Sequence, residues 1–452
     1  MTAEHTESDV TEGTVPEDRL AAFVAGLRYD DLPKEIATFV ERRFVDTIGV
    51  TVAGGRTNAC EAVVESLYPD GDGLDDAQPG DYGFLFGTMG HSLDYDDSTH
   101  SAHAHFSVSL ISTVLALATR YSVDGRDAVV AYTAGYESAY YLAEMTMDDH
   151  YQQGWHATST LGTYAATAAA ATILGLDETE TRHALNLCSS MPSGLRCNFG
   201  TTTKPIHAGH ATRAGITAAT LASNGATASE GAISGTYGFM EVYTDDGGDV
   251  SEGTLEEDWA ILDEGVNTKK YPCCHASHAA IEAMITLVSE HDIDPGTIEK
   301  VDVTTSALAG QNLQYVTPTN GLEAKFSMHY PVACAIEHEA VTVEMFDDEN
   351  VVDSAVVRHI DQITHSVDSE LPYRYETEVV IRTTAGETYE QYIKRPPGME
   401  GPLSEQATRA KFLDCTSMLS PERREALFEA LDSVRRLSTL DDIVETVLDA
   451  AL

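Results

Sequence analysis

The sequence predicts a mainly α protein: a large all-helical domain built from both chain ends, with a smaller α+β lid domain inserted at residues 267–401. Three observations predict it. From Glu17 to about Ala260 apolar residues recur at i, i+3 and i+4, and strand signals are nearly absent. Alternating, β-branched stretches are confined to the region after Asn267, and from Ser404 the helical period returns and runs to the end.

The segments RLAAFVAGL, EIATFVERRFVDTIGVTVAG, SVSLISTVLALATRY and DAVVAYTAGYESAYYLAEM carry the helical period in order. Two further segments, Thr158 to Leu176 and His210 to Ile233, are rich in Ala, Gly, Ser and Thr. Helices of such small residues pack backbone to backbone, which suits central positions. TIEKVDVTTSAL (Thr297 to Leu308) reads as a strand, and Tyr375 to Ile393 reads as a hairpin turning at Ala385-Gly386. ASHAAIEAMITLVSEH (Ala276 to His291) interleaves a helix. After KRPPGMEGPLS come EQATRAKFLDCTSM, PERREALFEALDSV and TLDDIVETVLDAAL, amphipathic helices that need a partner surface. They are expected to return to the first helical region, giving residues 15–266 with 402–452 as one domain and 267–401 as the other.

At 452 residues the chain exceeds the roughly 250 to 300 at which single cores stop growing. Its 73 acidic against 27 basic residues give a net charge of −46, which disfavours nucleic acid and anionic membranes as partners. This acidity reads as adaptation to a salt-rich cytoplasm, because at molar salt charges are screened within about 3 Å. The seven cysteines lack CxxC spacing, so a disulfide framework and a zinc ribbon are both disfavoured and a reducing cytosol is the simplest home. The acidic N-terminus has no basic or apolar leader pattern and is expected to fray over about fifteen residues. No apolar run reaches the 18 or so residues needed to span a bilayer.

Chemistry concentrates in four stretches. HSLDYDDSTHSAHAH, His91 to His105, places Asp94, Asp97 and Ser98 at i, i+3 and i+4, one face of a helix end, followed by histidines at 100, 103 and 105. It reads as a metal site, an acid–base loop or a solvated acidic loop. In GWHAT, His156 precedes a helix start, an anion-friendly place, or is a hydrogen-bonded core histidine. In GTTTKPIHAGHATRAG, Lys204 stands in a Gly/Thr loop fixed by Pro205, which suits a carboxylate ligand; the Walker A pattern is missing. In KKYPCCHASH, Cys273, Cys274, His275 and His278 are a weak case for zinc, since adjacent cysteines seldom ligate one ion comfortably. GxSxG, GxGxxG and HExxH are absent, and what remains points to acid–base work on an anionic substrate.

Together GHSLDYDDSTH, GWHATSTLGTYAATAAAATILGLD, GTTTKPIHAGHATRAGITAATLASNGATASEGAISGTYGF, KKYPCCHASH, AKFSMHYPVACAI and RPPGMEGPLS resemble the MmgE/PrpD family, in the family's order and over nearly the whole chain. That family includes 2-methylcitrate dehydratase, cis-aconitate decarboxylase and iminodisuccinate epimerase. The resemblance implies a homodimer without metal or other cofactor, catalysing in the cleft between a helical domain and an α+β lid. It assigns the reacting set to Asp94, His156, Lys204, His278 and His105, with one residue inserted before His105 and His103 as the other choice. It places Ser98 where threonine is usual, His275 where some dehydratases carry arginine, and Tyr330 as a lid residue closing the site.

The family's shared problem is negative charge developing beside a carboxylate. A local basic cluster of Lys204, Arg213, Lys269 and Lys270 is expected to reverse the acidic field inside the cleft and bind a di- or tricarboxylate. The leading expectation is dehydration of 2-methylcitrate. Decarboxylation of cis-aconitate, epimerisation of iminodisuccinate, a metal-dependent hydrolase using the His/Asp loop, and a non-catalytic interaction protein are its rivals.

Overall fold

The computed structural model describes residues 15–68, 77–147, 149–249, 255, 259–307, 309, 313–373, 375–399 and 401–451. The expected N-terminal fraying falls on residues 1–14, outside this set. The chain opens with α1 (Pro16–Gly26), α2 (Lys34–Gly54), α3 (Asn58–Leu67), α4 (Pro79–His91), α5 (Phe106–Ala118) and α6 (Gly125–Thr146). There follow α7 (Ala157–Leu174), α8 (Glu178–Cys188) and α9 (Thr203–Ser223). Their ends follow local chemistry. Asp124 with Asp127 and Asp177 with Glu180 form capping boxes at the starts of α6 and α8, and Gly175, at φ +65°, closes α7.

The small-residue helices are central, as their composition predicts. A Cβ added at Gly209 of α9 would stand 2.3 Å from the Phe84 carbonyl of α4, and one at Gly215 would meet the Ala166 Cβ of α7 at 2.5 Å. Backbones this close fix α4, α7 and α9 relative to one another. One boundary differs from expectation: α9 begins at Thr203 rather than His210, and residues 224–233 are not helical. Pro205 does not hold a loop but sits in the first helical turn, where its missing N–H costs nothing.

Beyond Asn267 come α10 (His278–His291), β1 (Ile298–Ser306), α11 (His329–His338), α12 (Ser354–Ile360), β2 (Ile363–Asp368), β3 (Thr377–Thr383) and β4 (Thr388–Ile393). The sheet order is β2-β1-β3-β4, with β1 parallel to β2 and antiparallel to β3. The hairpin of β3 and β4 turns with Gly386 at φ +83°. β2 was not expected; it is a short edge strand, mostly exposed beyond Ile363, in which His365 interrupts the apolar alternation of Ile363 and Val367.

The closing helices are α13 (Glu405–Cys415), α14 (Pro421–Leu431) and α15 (Asp441–Ala451). Their apolar residues Phe412, Leu431 and Val447 belong to the same core as Phe44, Phe86 and Leu161 of the opening helices. A second core, from Tyr271 to Ile381, fills the space between α10, α11 and the sheet. Lys411 of α13 bonds Asp46 of α2 at 2.7 Å and donates to the Tyr95 carbonyl at 2.8 Å, so the last part of the chain steadies the loop that follows α4. Among the described residues no helix is long and apolar enough to cross a membrane.

Candidate active site

A small cavity of about 90 Å³ opens where five segments meet: the loop between α4 and α5, the starts of α7 and α9, the stretch after Thr268, and residues Phe326 and Tyr375 from the sheet-bearing part. Asp94, Ser98, His103, His105, His156, Lys204, Lys269 and His275 all line it. Seven of those eight stood in the expected site; Lys269 was expected only as part of the basic cluster.

The helical reading of Asp94, Asp97 and Ser98 is corrected. α4 stops at His91, and Asp94 lies at φ +52°, a left-handed conformation that turns the chain sharply. The loop is ordered by buried bonds instead. Asp97 accepts from Arg43 at 3.2 Å and from Ser107 at 2.7 Å, Ser98 pairs backbone to backbone with Asn267, and His105 N–H donates to Thr158 Oγ1 at 3.1 Å. Asp96 and Asp97, which a solvated acidic loop would expose, are fully buried.

The charges in the cavity are arranged around Asp94. Lys204 bonds one carboxylate oxygen, and Lys269 lies 3.0 Å from the other. Burial alone would raise the Asp94 carboxyl, but the two ammoniums outweigh it and hold the group well below the usual carboxylate range. Two buried cations therefore share one anion. Phe199 and Phe326 place their rings 5.4 Å and 5.6 Å from the Lys204 nitrogen, excluding water while favouring the cation.

Around this core stand four imidazoles, of which burial keeps His156 and His275 neutral. His156 caps the start of α7, bonds His207 Nδ1 at 3.0 Å, and is held well below the ordinary histidine value by burial and by the neighbouring His91 and Lys204. His275 is depressed likewise by burial and by His278, and among the described residues neither of its ring nitrogens has a hydrogen-bond partner. His105 reaches Asp96 through Nδ1 at 3.1 Å, whereas His103, at φ +47°, stacks on Tyr151 with centroids 4.3 Å apart.

Four expected residues are placed elsewhere. Arg213 follows Lys204 by nine residues, about 2.5 helical turns, and so points to the opposite face of α9, where it pairs with Asp81 at 2.8 Å. Lys270 points away from its neighbour Lys269 and bonds Glu282 at 2.7 Å on a partly exposed surface. Tyr330 is packed in the second core with its hydroxyl on the Met345 carbonyl, and Phe326 from the same AKFSMHY block lines the cavity instead. His278 sits behind His275, ring centroids 4.6 Å apart, with Nε2 bonded to the Cys273 carbonyl at 3.2 Å. Burial and Lys269 lower it to about 3, so it stays neutral, and it does not line the cavity.

At KKYPCCHASH, Cys273 engages Ser277 at 3.3 Å and His278 bonds the Cys273 carbonyl, and the four residues are not among the groups spaced to hold one ion. Among the described residues the one group spaced for a metal is His91, Asp96 and His105, with ligand atoms within 4.8 Å of one another. Sequence reasoning missed His91 and Asp96, as well as Tyr375 and Phe199. The two aromatics carry no motif, and only tertiary contact brings them to the cavity.

The MmgE/PrpD N-terminal domain matches residues 18–250 and the MmgE/PrpD C-terminal domain matches residues 271–435. The chain is 28% identical to human cis-aconitate decarboxylase over 352 residues, covering 73% of this chain and 72% of that protein. It is 25% identical to the mouse cis-aconitate decarboxylase over 453 residues, covering 94% and 91%. It is 24% identical to a cis-aconitate decarboxylase-like protein, oryM, of Aspergillus oryzae, covering 96% and 98%.

Proposed function

Because the chain belongs to the MmgE/PrpD family of lyases, we propose that it acts on a small polycarboxylate, with decarboxylation of cis-aconitate as the leading reaction. The observation that carries this is the pair Lys204 and Lys269 converging on the single carboxylate of Asp94 inside a buried cavity. Among these three groups one positive charge is left over, in a protein whose net charge is −46. At 4 Å a unit charge pair is worth about 4 kcal/mol at an effective dielectric near 20, against about 1 kcal/mol in water. The nearby ammoniums therefore outweigh the distant, screened surface acids for an anion that enters the cavity.

The names of the three similar proteins favour decarboxylation over the dehydration expected from sequence. In that reaction the bond from the methylene carbon to its carboxylate breaks and CO₂ leaves. The freed electron pair forms a new double bond to the methylene, the original double bond shifts, and the carbon at its far end takes a proton. Lys204 and Lys269 would hold the remaining carboxylates and balance the charge that builds between them. His105, backed by an acid, would deliver the proton.

Dehydration of 2-methylcitrate stands second, favoured by one observation: imidazoles face the cavity from two walls, His103 and His105 on one and His275 on the other. Elimination of water needs a base for the α proton and a separate acid for the departing hydroxyl. Incubating the protein in concentrated salt and D₂O with cis-aconitate, 2-methylcitrate, citrate and iminodisuccinate, followed by proton NMR, separates the readings. CO₂ loss with one deuterium gained on carbon supports the first and water loss the second. Exchange at an α carbon without net change points to epimerisation, and no reaction with any of the four refutes the substrate class.

A further inference from the structure

His91, Asp96 and His105 form a buried group of which only His105 lines the cavity. Asp96 Oδ2 lies 2.8 Å from Nδ1 of His91 and 3.1 Å from Nδ1 of His105. The two rings meet edge to face, 4.8 Å between centroids, so they approach that oxygen from different directions. An ionised carboxylate can only accept, and a neutral imidazole carries one N–H. His91 hydrogen-bonds the carboxylate through Nδ1 and so carries its proton there; His105 turns Nδ1 to the same oxygen at 3.1 Å, without hydrogen-bond alignment, and the anion favours a proton on that nitrogen, leaving Nε2 bare.

We propose that Asp96 is a positioning residue, one carboxylate oxygen fixing His91 and His105 together as Nδ1–H tautomers so that His105 offers the cavity a bare Nε2. His91 is the brace. It ends α4, is fully buried, does not line the cavity, and holds Asp96 Oδ2 by a 2.8 Å hydrogen bond, which restrains the carboxylate that His105 faces. Burial lowers His91 to about 4 even with Asp96 beside it, so His91 contributes no competing positive charge. When Nε2 of His105 takes a proton, the charge formed on its ring is met most closely by Asp96, 3.1 Å away; when the proton leaves for substrate carbon, the ring returns to the same tautomer. This role rests on the lyase reading for its chemistry but not for its geometry.

The test uses the full-length protein with ¹⁵N-labelled histidine and no substrate. Two-bond nitrogen–proton spectra distinguish Nδ1–H from Nε2–H, and His91→Gln and His105→Gln assign the two signals. Both histidines are expected as Nδ1–H in the wild type, and His105 should shift to Nε2–H in Asp96→Ala. In Asp96→Asn, which keeps the shape and loses the charge, kcat is expected to fall about 10²- to 10⁴-fold with KM changed by less than about threefold. An Nε2–H signal for His105 in the wild type overturns the proposal, and that reading needs neither variant to fold. So does stoichiometric metal in the purified protein that vanishes in Asp96→Ala, because the three residues would then be ligands. Wild-type kcat in Asp96→Asn also overturns it. A wild type inactive on all four acids would sink the substrate assignment, while the tautomers would still decide this one.

Discussion

The carboxylate of Asp94 is shared between two buried ammoniums, bonded to Lys204 and 3.0 Å from Lys269. The arrangement is two cations to one anion, so its members are not equivalent for stability. Asp94→Ala leaves two uncompensated buried ammoniums and should cost about 3–5 kcal/mol, the usual loss when one partner of a buried pair is removed. Lys204→Ala leaves a neutral Asp94–Lys269 pair and should cost clearly less. Its effect should fall on catalysis instead: KM raised, kcat lowered, and kcat/KM down by about 10²-fold or more. Urea melts and steady-state kinetics of the two variants check the order; a Lys204→Ala protein less stable than Asp94→Ala would contradict this charge count.

Arg213 and Lys270 supply the matching controls. Both belong to exposed or half-exposed pairs, with Asp81 and Glu282, on surfaces away from the cavity. Surface pairs of this kind are worth about 0–1 kcal/mol. Arg213→Ala and Lys270→Ala should each keep kcat/KM within about threefold of wild type and shift stability by less than about 1 kcal/mol. A large loss of activity in either would return that residue to the site.

These controls also mark where sequence reasoning stops. The four histidine- and lysine-bearing stretches were legible because polar, titratable residues in an alanine-rich chain have few other uses, and the helices because apolar period survives burial. What was not legible was direction. Lys204 and Arg213 share a segment, yet helical phase sends them apart; Lys269 and Lys270 are adjacent, and only one turns inward. Asp96 looked like a solvated neighbour of Asp94 because nothing in the string shows that α4 ends at His91 and folds the next residues under it. β2 was hidden for the opposite reason, as an edge strand that buries only Ile363 writes little of a buried face into its sequence.

Neutral buried histidines make stability depend on pH. His91 and His207 are lowered to about 4 and His278 to about 3, in each case by burial first. The unfolded chain titrates near 6.5, so between about 6.5 and 4 it binds protons that the folded protein refuses. The stabilisation is complete above 6.5 and is lost as pH falls, with each such group contributing up to on the order of 3 kcal/mol. Melting temperature at fixed salt should therefore drop steadily from pH 7 to pH 4.5. A flat profile over that interval would show that these imidazoles are charged or exposed.

With a net charge of −46 the folded chain repels itself over any distance that salt leaves unscreened. The Debye length shrinks from about 10 Å at 0.1 M to about 3 Å at 1 M. Melting temperature should thus climb between 0.1 M and 2 M KCl, and most of the rise should be complete by about 1 M. Sodium chloride should give nearly the same curve, because screening depends on ionic strength and not on the cation. A melting temperature independent of salt would remove the reading of the acidity as an adaptation to salt.

His103 and His105 both line the cavity, and their partners separate them. His105 stands against a buried carboxylate at 3.1 Å, which can stabilise the imidazolium formed in proton transfer. His103 instead stacks on the ring of Tyr151 from a left-handed backbone position, an arrangement that orients a side chain against a substrate wall. His105→Asn should therefore lose about 10²- to 10⁴-fold in kcat, the usual range for an acid–base group, with a smaller change in KM. His103→Asn should chiefly raise KM, and asparagine at 103 should also tolerate the positive φ that a β-branched residue would resist. Measuring both variants against the same substrate assigns the roles. If His103→Asn shows the larger loss in kcat while His105→Asn remains active, proton transfer belongs to His103, and the contact between His105 and Asp96 serves only to hold the loop.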